Sequence, residues 1–493
     1  MSNAQVPVPD AFTTYVDEHQ TQFIDRLKTA VSKKSISGDI SFRDDVRKTA
    51  TWLQSEFKRL GVTNTTLVEL GDQPKTDPPV KLAQLVTARV DAPGEGKKTV
   101  LVYGHYDVQP VDGWAERNPQ NPDAFDLGIL DDGKVLLGRG STDDKGPLMG
   151  WLNVIEAHQA LGISLPVNIR FLFEGMEESS SIGLDNWIDE EAKKGEEGFF
   201  AGVDCVCVTD NYWLTTRRPA LTYGVRGIAY FSINITGARD DLHSGIYGRM
   251  IHEPMTDMVK LLGKLVESNG LITVPGVEEM VPPPTADERE QYAKLDYKVD
   301  DLRTDTGAAV ELSECHTDLV MGRMRYPSLS IHGIKGAFDK DGLLTVIPHQ
   351  ISGRFSIRLV KPQTPENIIP LVTSFLDGEF AKLDSKNKMQ VVYEGGGLPW
   401  VGDKTHWNFQ AADAATQAIH GTTLAPDYTR EGGSIPVALV FESALQKNVL
   451  LLPMGRSDDG AHSAREKLDT DNYIKGTKVF GAYLYALSAI NTS

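Results

Sequence analysis

The sequence predicts an α/β protein with a mainly parallel central sheet and a smaller α+β domain inserted into it. Three observations carry that prediction. Short, continuous apolar runs of strand length recur along the chain. Amphipathic helical stretches separate them. A middle region behaves differently, because its strands alternate apolar and polar residues.

Taken in order, residues 44–60 have helical spacing, with Val46, Ala50, Leu53, Phe57 and Leu60 at steps of three and four and Gly61 as the stop. A strand is predicted at 99–103. A helix is predicted at 146–161, with Pro147 in its first turn, where a missing N–H costs nothing. Apolar strands follow at 167–173 and 205–208, and another near the C-terminus at 449–452. In the middle, 228–236 alternates like a half-buried strand and 254–266 reads as a helix. Residues 328–332 and 351–360 are strand-like, 365–383 helical and 389–393 again a strand. Strand, helix, strand, strand, helix, strand describes a compact inserted domain, with limits near 224 and 392. The polar stretch 283–306 reads as a surface excursion, and no internal repeat is present.

The chain has 493 residues, enough for several domains with substantial cores. Fifty basic residues against 68 acidic give a net charge of −18. Such a surface repels phosphate backbones, which argues against nucleic acid as a partner. No apolar run nears the roughly 18 residues of a membrane span, and the N-terminal stretch lacks the pattern of a secretory signal. Three cysteines, Cys205, Cys207 and Cys315, cannot build a disulfide framework, so a reducing, cytoplasmic setting is expected. Cys205 and Cys207 alternate on a strand and read as core thiols.

Five polar motifs follow apparent strands. GHYDVQP at 104–110 places His105 and Asp107 two apart, on one face of an extended backbone. Asp107 suits either the partner that fixes a ligating imidazole or a ligand in its own right. GRGSTDDKGP at 138–147 is glycine-rich, but it lacks the phosphate-loop order and carries Asp143 and Asp144, which suit a hard cation. FEGMEESSS at 173–181 contains adjacent Glu177 and Glu178. Neighbours cannot point the same way, so one can hold a metal while the other faces a water. Asp210 lies in VTDNYW, and His462 in the glycine-rich turn GRSDDGAHS at 455–463. Each motif alone also fits an ordinary polar turn. Together they put carboxylates and imidazoles beyond the strand ends of an α/β sheet, where such folds bind ligands. Asp143, Glu178, Asp210, Asp107 and Glu177 would bring five negative charges together. Two divalent cations would make that cluster tolerable and could activate a water between them.

The sequence resembles the dinuclear metallopeptidases of the carnosinase, peptidase T and aminoacylase superfamily, and within it the cytosolic nonspecific and Cys-Gly dipeptidases. The resemblance spans nearly the whole chain, through VLVYGHYDVQP, GRGSTDDKGP, EGMEES, TDNYWL, DLHSGIYG, RYPSLSIHG, TVIP, FSIRLV, TREGGSIP and LLPMGRSDDGAHS. It implies a phosphorylase/hydrolase-like catalytic domain over 1–223 and 393–493. It also implies a ferredoxin-like lid and dimerisation domain over 224–392. His105, Asp143 and Asp210 would hold one divalent metal, and Asp143, Glu178 and His462 the other, as zinc or manganese. Asp107 would orient His105, and Glu177 would be the general base. The resemblance further implies a cis peptide between Asp143 and Asp144. Arg358 would clamp a dipeptide's carboxylate and Ser434 would contact its backbone. His243 would stabilise the oxyanion, and His243 and Thr345 would reach the partner's site in a homodimer.

The expected activity is metal-dependent dipeptide hydrolysis. An N-acyl amino acid amidohydrolase is the nearest rival, disfavoured because deacylase relatives carry Glu at position 210. A non-catalytic metal-binding scaffold is the other, disfavoured because Glu177 and all five ligand positions are intact. Two departures from the family pattern stand out. The stretch 113–125 is longer than usual, which would alter a loop near the site, and Arg249 occupies a position where glycine is usual.

Overall fold

The computed structural model describes residues 6–338, 342–421, 425–433 and 435–490. The chain forms two compact units. The first comprises Met1–Tyr223, Gly402–Thr429 and Val440–Ser493; the second comprises Gly224–Val401 and Arg430–Leu439.

The first unit is built on a sheet whose centre is parallel. Strands Asn168–Glu174 and Cys205–Val208 flank Thr99–His105 in parallel, and Val449–Leu451 adds in parallel to Cys205–Val208. The edges are antiparallel: Leu85–Val90 and Thr65–Val68 on one side, Ala220–Val225 on the other. Every residue of Thr99–His105 is buried, which explains its unbroken apolar run. Helix Arg43–Arg59 lays Phe57 against Phe171 and Phe173, with ring centroids 5.2 and 5.8 Å apart. Helices Lys145–Leu161 and Thr470–Ala489 meet through Trp151 stacked on Phe480 at 4.6 Å. Truncating a fully buried ring such as Phe57 costs about 3–5 kcal/mol.

Helix Lys145–Leu161 starts one residue before the predicted limit and ends where Gly162 turns left-handed at φ 63°. Its approach to the sheet depends on Gly104, since a Cβ there would collide with Asp144 Oδ2 and with Leu148. The 113–125 stretch is a packed support. A short helix Trp114–Arg117 buries Trp114 in a cluster with Ile36, Val108, Ala124, Phe125 and Leu137.

The second unit carries a four-stranded antiparallel sheet in the order Ser328–Lys335, Gln350–Leu359, Gly227–Thr236, Lys388–Gly397. Helices Pro254–Leu262 and Pro365–Lys382 pack on it around Phe231, Ile233, Phe355 and Ile357. This is the strand–helix–strand–strand–helix–strand order read from the sequence. The unit extends past 392, because Lys388–Gly397 stays paired with its neighbour as far as Gly397 opposite Ile228. The glycines after Glu394 hide that continuation, since they break the apolar alternation. The polar stretch 283–306 carries two short helices, Ala286–Ala293 and Val299–Thr306. Among the described residues no helix is long and apolar enough to cross a membrane.

Candidate metal centre

Two of the parallel strands end level, with His105 in register with Glu174, and the two beside them end two residues earlier, with Val208 and Leu451 in register with Tyr103. Beyond those ends the chain delivers its polar motifs. His105 is the last residue of its strand. Glu177 and Glu178 open a single 3-10 turn, Glu177–Ser179, just past the neighbouring strand. Asp210 lies two residues after Val208, and Asp143 just before helix Lys145–Leu161. The Asp143–Asp144 peptide is cis. His462 sits in the loop after Val449–Leu451, at a left-handed φ of 61°.

Two donor sets form, and Asp143 belongs to both. His105, Asp143 and Asp210 place one ligand atom each within 4.8 Å of one another, and so do Asp143, Glu178 and His462. Asp143 Oδ1 lies 3.1 Å from His105 Nε2, and its Oδ2 lies 3.1 Å from His462 Nε2. Asp210 Oδ2 is 3.9 Å from His105 Nε2, and Glu178 Oε2 is 3.1 Å from His462 Nε2. Two imidazoles with three carboxylates is a donor set that suits borderline divalent cations.

Asp107 stands behind these groups. Its Oδ1 lies 3.4 Å from His105 Nδ1, and its two oxygens accept the backbone N–H groups of Glu177 and Glu178. Gln109 donates to Glu178 Oε2 at 2.7 Å.

The electrostatics describe a cluster short of positive charge. Burial pushes Asp210 up to about 7, with Asp143 and Glu178 adding to the rise. Burial likewise carries Glu177 well above the carboxylate range, with Asp210, Glu174 and Glu178 reinforcing it. Burial opposes charge on His105, but its hydrogen bonds to Asp107 and Asp143 raise it well above the usual histidine value. Hydrogen bonds to Asp143 and Glu178 raise His462 to about 11. Asp143 goes the other way: burial opposes its charge, yet His105 and His462 hold it below the usual range. Protonated imidazoles thus occupy the positions where cations would satisfy the carboxylates.

A third acidic group, Asp458, Asp459 and Asp469, is different in kind. Lys467 Nζ reaches all three, at 3.0, 2.9 and 2.5 Å, and Arg456 adds a second cation. Two cations of the protein itself thus already offset most of that cluster's charge.

Of the sequence-predicted substrate residues, His243, Thr345 and Arg358 lie in the second unit. His243 and Thr345 come together on a two-stranded ribbon, where His243 pairs with Val346 and the Thr345 carbonyl accepts Ser244 N–H at 2.9 Å. Both are exposed. Arg358 lies on strand Gln350–Leu359 between Ser328 and Ile228. Burial lowers Arg226 to about 10, the like charge of Arg358 contributes, and Glu431 partly offsets it. Ser434 lies outside the described residues. Arg249 has φ 64°, the left-handed region, which explains why glycine suits that position. Cys205 and Cys207 are buried free thiols, and Cys315 is an exposed one.

Sequence reasoning passed over Glu174 and Gln109. Glu174 accepts Tyr103 OH at 2.5 Å and Ser181 Oγ at 2.9 Å, and burial and the charge of Asp107 push it up to about 7. Its place as the last residue of an apolar strand was the available signal.

A parallel sheet that gathers two imidazole–carboxylate sets beyond its strand ends is the arrangement of a metal-dependent hydrolase. The sequence matches the description "Peptidase family M20/M25/M40" over residues 101–486, and the chain belongs to that family. It is 47% identical to the Cys-Gly metallodipeptidase DUG1 of Candida albicans over 98% of this chain and 97% of that one. It is 39% identical to the Beta-Ala-His dipeptidase of Homo sapiens over 97% of this chain and 92% of that one. A solved structure of the dipeptidase Dug1p from Saccharomyces cerevisiae matches at TM-score 0.87 and 42% identity, covering 99% of this chain and all of that one.

Proposed function

We propose that this protein is a metal-dependent dipeptidase that acts on Cys-Gly or a broader set of dipeptides through two divalent cations, zinc or manganese. The observation that carries the reading is the sharing of Asp143 between the two donor sets, with Glu177 half-buried beside them. His105, Asp143 and Asp210 hold one cation, and Asp143, Glu178 and His462 the other. Asp107 fixes His105 through Nδ1, leaving Nε2 for ligation. When bound, such a cation pair polarises the peptide carbonyl and lowers the pKa of an attacking water. Glu177 accepts that water's proton and later delivers it to the leaving amine. The elevated affinity of Glu177 for a proton suits the second half of that exchange.

Arg358 binds the substrate carboxylate through its planar guanidinium, which limits chain length and favours dipeptides. Ser434 contacts the substrate backbone. The exposed ribbon bearing His243 and Thr345 serves the active site of a second subunit in a homodimer, with His243 on the oxyanion. Free, unpaired thiols at all three cysteines support a reducing, cytoplasmic setting. Asp210 supports a free-amino substrate over an N-acyl one.

The test is hydrolysis by chelated, desalted protein re-supplied with Zn²⁺ or Mn²⁺. The panel is Cys-Gly, Ala-Ala, carnosine, a tripeptide and an N-acetyl amino acid. Metal-restored cleavage of free-amino dipeptides is expected. Glu177→Gln should retain metal and lose about 10²–10⁴-fold in kcat. Preferential cleavage of the acetylated compound would overturn the reading.

A further inference from the structure

The loop that bears Asp143 and the loop that bears His462 are joined by one buried side chain, Glu466. Its Oε1 accepts the backbone N–H groups of Thr142 and Asp143, both at 3.1 Å. Its Oε2 accepts Gly140 N–H at 2.9 Å and Arg139 Nη1 at 2.8 Å. Glu466 is fully buried, so the four bonds are made without competition from water. Arg139 continues the chain of contacts with Nη2 on the Pro110 carbonyl at 2.9 Å, at the end of the motif that contains His105. A second tie runs parallel, from Thr142 Oγ1 to Asp459 Oδ2 at 2.9 Å.

We propose that Glu466, backed by Arg139, is the positioning residue that sets the Asp143 carboxylate between the two donor sets, so that cation binding at both depends on it. The proposal rests on the reading of Asp143 and His462 as ligands. Asp143 must present one oxygen to each set, and each of its oxygens lies 3.1 Å from a different imidazole. A small rotation of its backbone would favour one set at the expense of the other. Glu466 takes hold of that backbone at the Asp143 N–H itself. It also sits four residues after His462, so one side chain sets the spacing between the two ligand loops.

The chemistry requires a carboxylate at 466. All four partners are donors, and an ionised carboxylate is acceptor-only on both oxygens. Glutamine keeps the shape but turns an N–H₂ group towards N–H donors on one side.

The experiment titrates metal-free wild type, Glu466→Gln and Glu466→Asp with Mn²⁺, and separately with Zn²⁺, by calorimetry. Dipeptide kinetics at saturating metal and the Tm of each metal-free protein accompany it. Wild type should bind two cations. Glu466→Gln should lose about 10- to 100-fold in affinity at one or both sites. Its kcat should fall, while KM stays within about a factor of three. Glu466→Asp keeps the charge and should recover part of both losses. Wild-type stoichiometry, affinity and kcat in Glu466→Gln would overturn the proposal. Failure of both variants to fold would make Glu466 a purely structural residue and also overturn it. A wild type that binds no cation pair would instead sink the metal-centre reading itself.

Discussion

Asp107 Oδ1 lies 3.4 Å from His105 Nδ1, and the same carboxylate receives the N–H groups of Glu177 at 3.2 Å and Glu178 at 3.1 Å. The Asp107 backbone carbonyl lies closer to the same imidazole nitrogen, at 3.1 Å, so the residue as a whole faces His105 while its side chain fixes the turn that carries Glu177 and Glu178. Asp107→Asn leaves one side-chain oxygen for two backbone donors and removes the charge facing His105. Metal affinity should fall about 10- to 100-fold, with kcat falling alongside. Metal titration of the chelated variant checks this, and an unchanged affinity would show that Asp107 is dispensable for ligand orientation.

Cation binding should release protons. In the metal-free chain His462 is raised to about 11 and carries a proton at neutral pH, and His105 is raised in the same direction by its hydrogen bonds to Asp107 and Asp143. A ligating nitrogen must be neutral, so a protonated imidazole gives up its proton on ligation. At pH 7 the release should be at least about one proton per chain, from His462. It should grow as pH falls through about 7, where Asp210 also takes up a proton. Calorimetry in buffers of different ionisation enthalpy measures the count; a release near zero would contradict the protonated-imidazole arrangement.

Acid should weaken the first unit through His420, which belongs to neither donor set. Burial lowers this imidazole from its ordinary 6.5 to about 4, beside the edge of Trp213. The folded state binds the proton less well than the unfolded chain. The stabilisation is therefore complete above about pH 6.5 and is lost as pH falls through 4. It amounts to about 2–3 kcal/mol after allowance for partial exposure. Metal-free His420→Gln should lose less stability than wild type between pH 6.5 and 4 in urea titrations. Parallel pH profiles would refute this.

Arg249 carries φ 64° without the freedom of glycine. Arg249→Gly should leave stability unchanged or raise it by up to about 1 kcal/mol. A loss exceeding about 1 kcal/mol in thermal or urea midpoints would mean the arginine side chain makes contacts that outweigh its backbone cost.

The strands were legible because a parallel strand covered on both faces reads as an uninterrupted apolar run, as Thr99–His105 does. The same logic located the candidate site, since His105, Glu177 and Asp210 each follow such a run. What escaped is held by backbone partners. Glu466 lies in the polar segment SAREK, and three of its four donors are main-chain amides, which leave no trace in side-chain spacing. The end of the inserted sheet was missed for a related reason: Gly395, Gly396 and Gly397 keep their pairing without any apolar side chain to mark it. The length of 113–125 was visible, but its role was not. Trp114 anchors it, and Asn118 donates to the Ala464 carbonyl at 2.5 Å, two residues from His462.

The strand Val449–Leu451 takes its place between Cys205–Val208 and Ala220–Val225, although more than two hundred residues separate it from either in the chain. A nascent chain emerging from a ribosome would therefore hold an open slot in its main sheet until that late segment appears. The four-stranded sheet of the second unit needs nothing beyond Gly397 and can close first. His462 comes eleven residues after the slot-filling strand, so the last structural gap and the last candidate ligand are supplied by one stretch of translation. A chain interrupted before residue 449 would expose two unpaired strand edges and lack His462 of the second donor set, which makes it a target for quality control rather than a half-active enzyme.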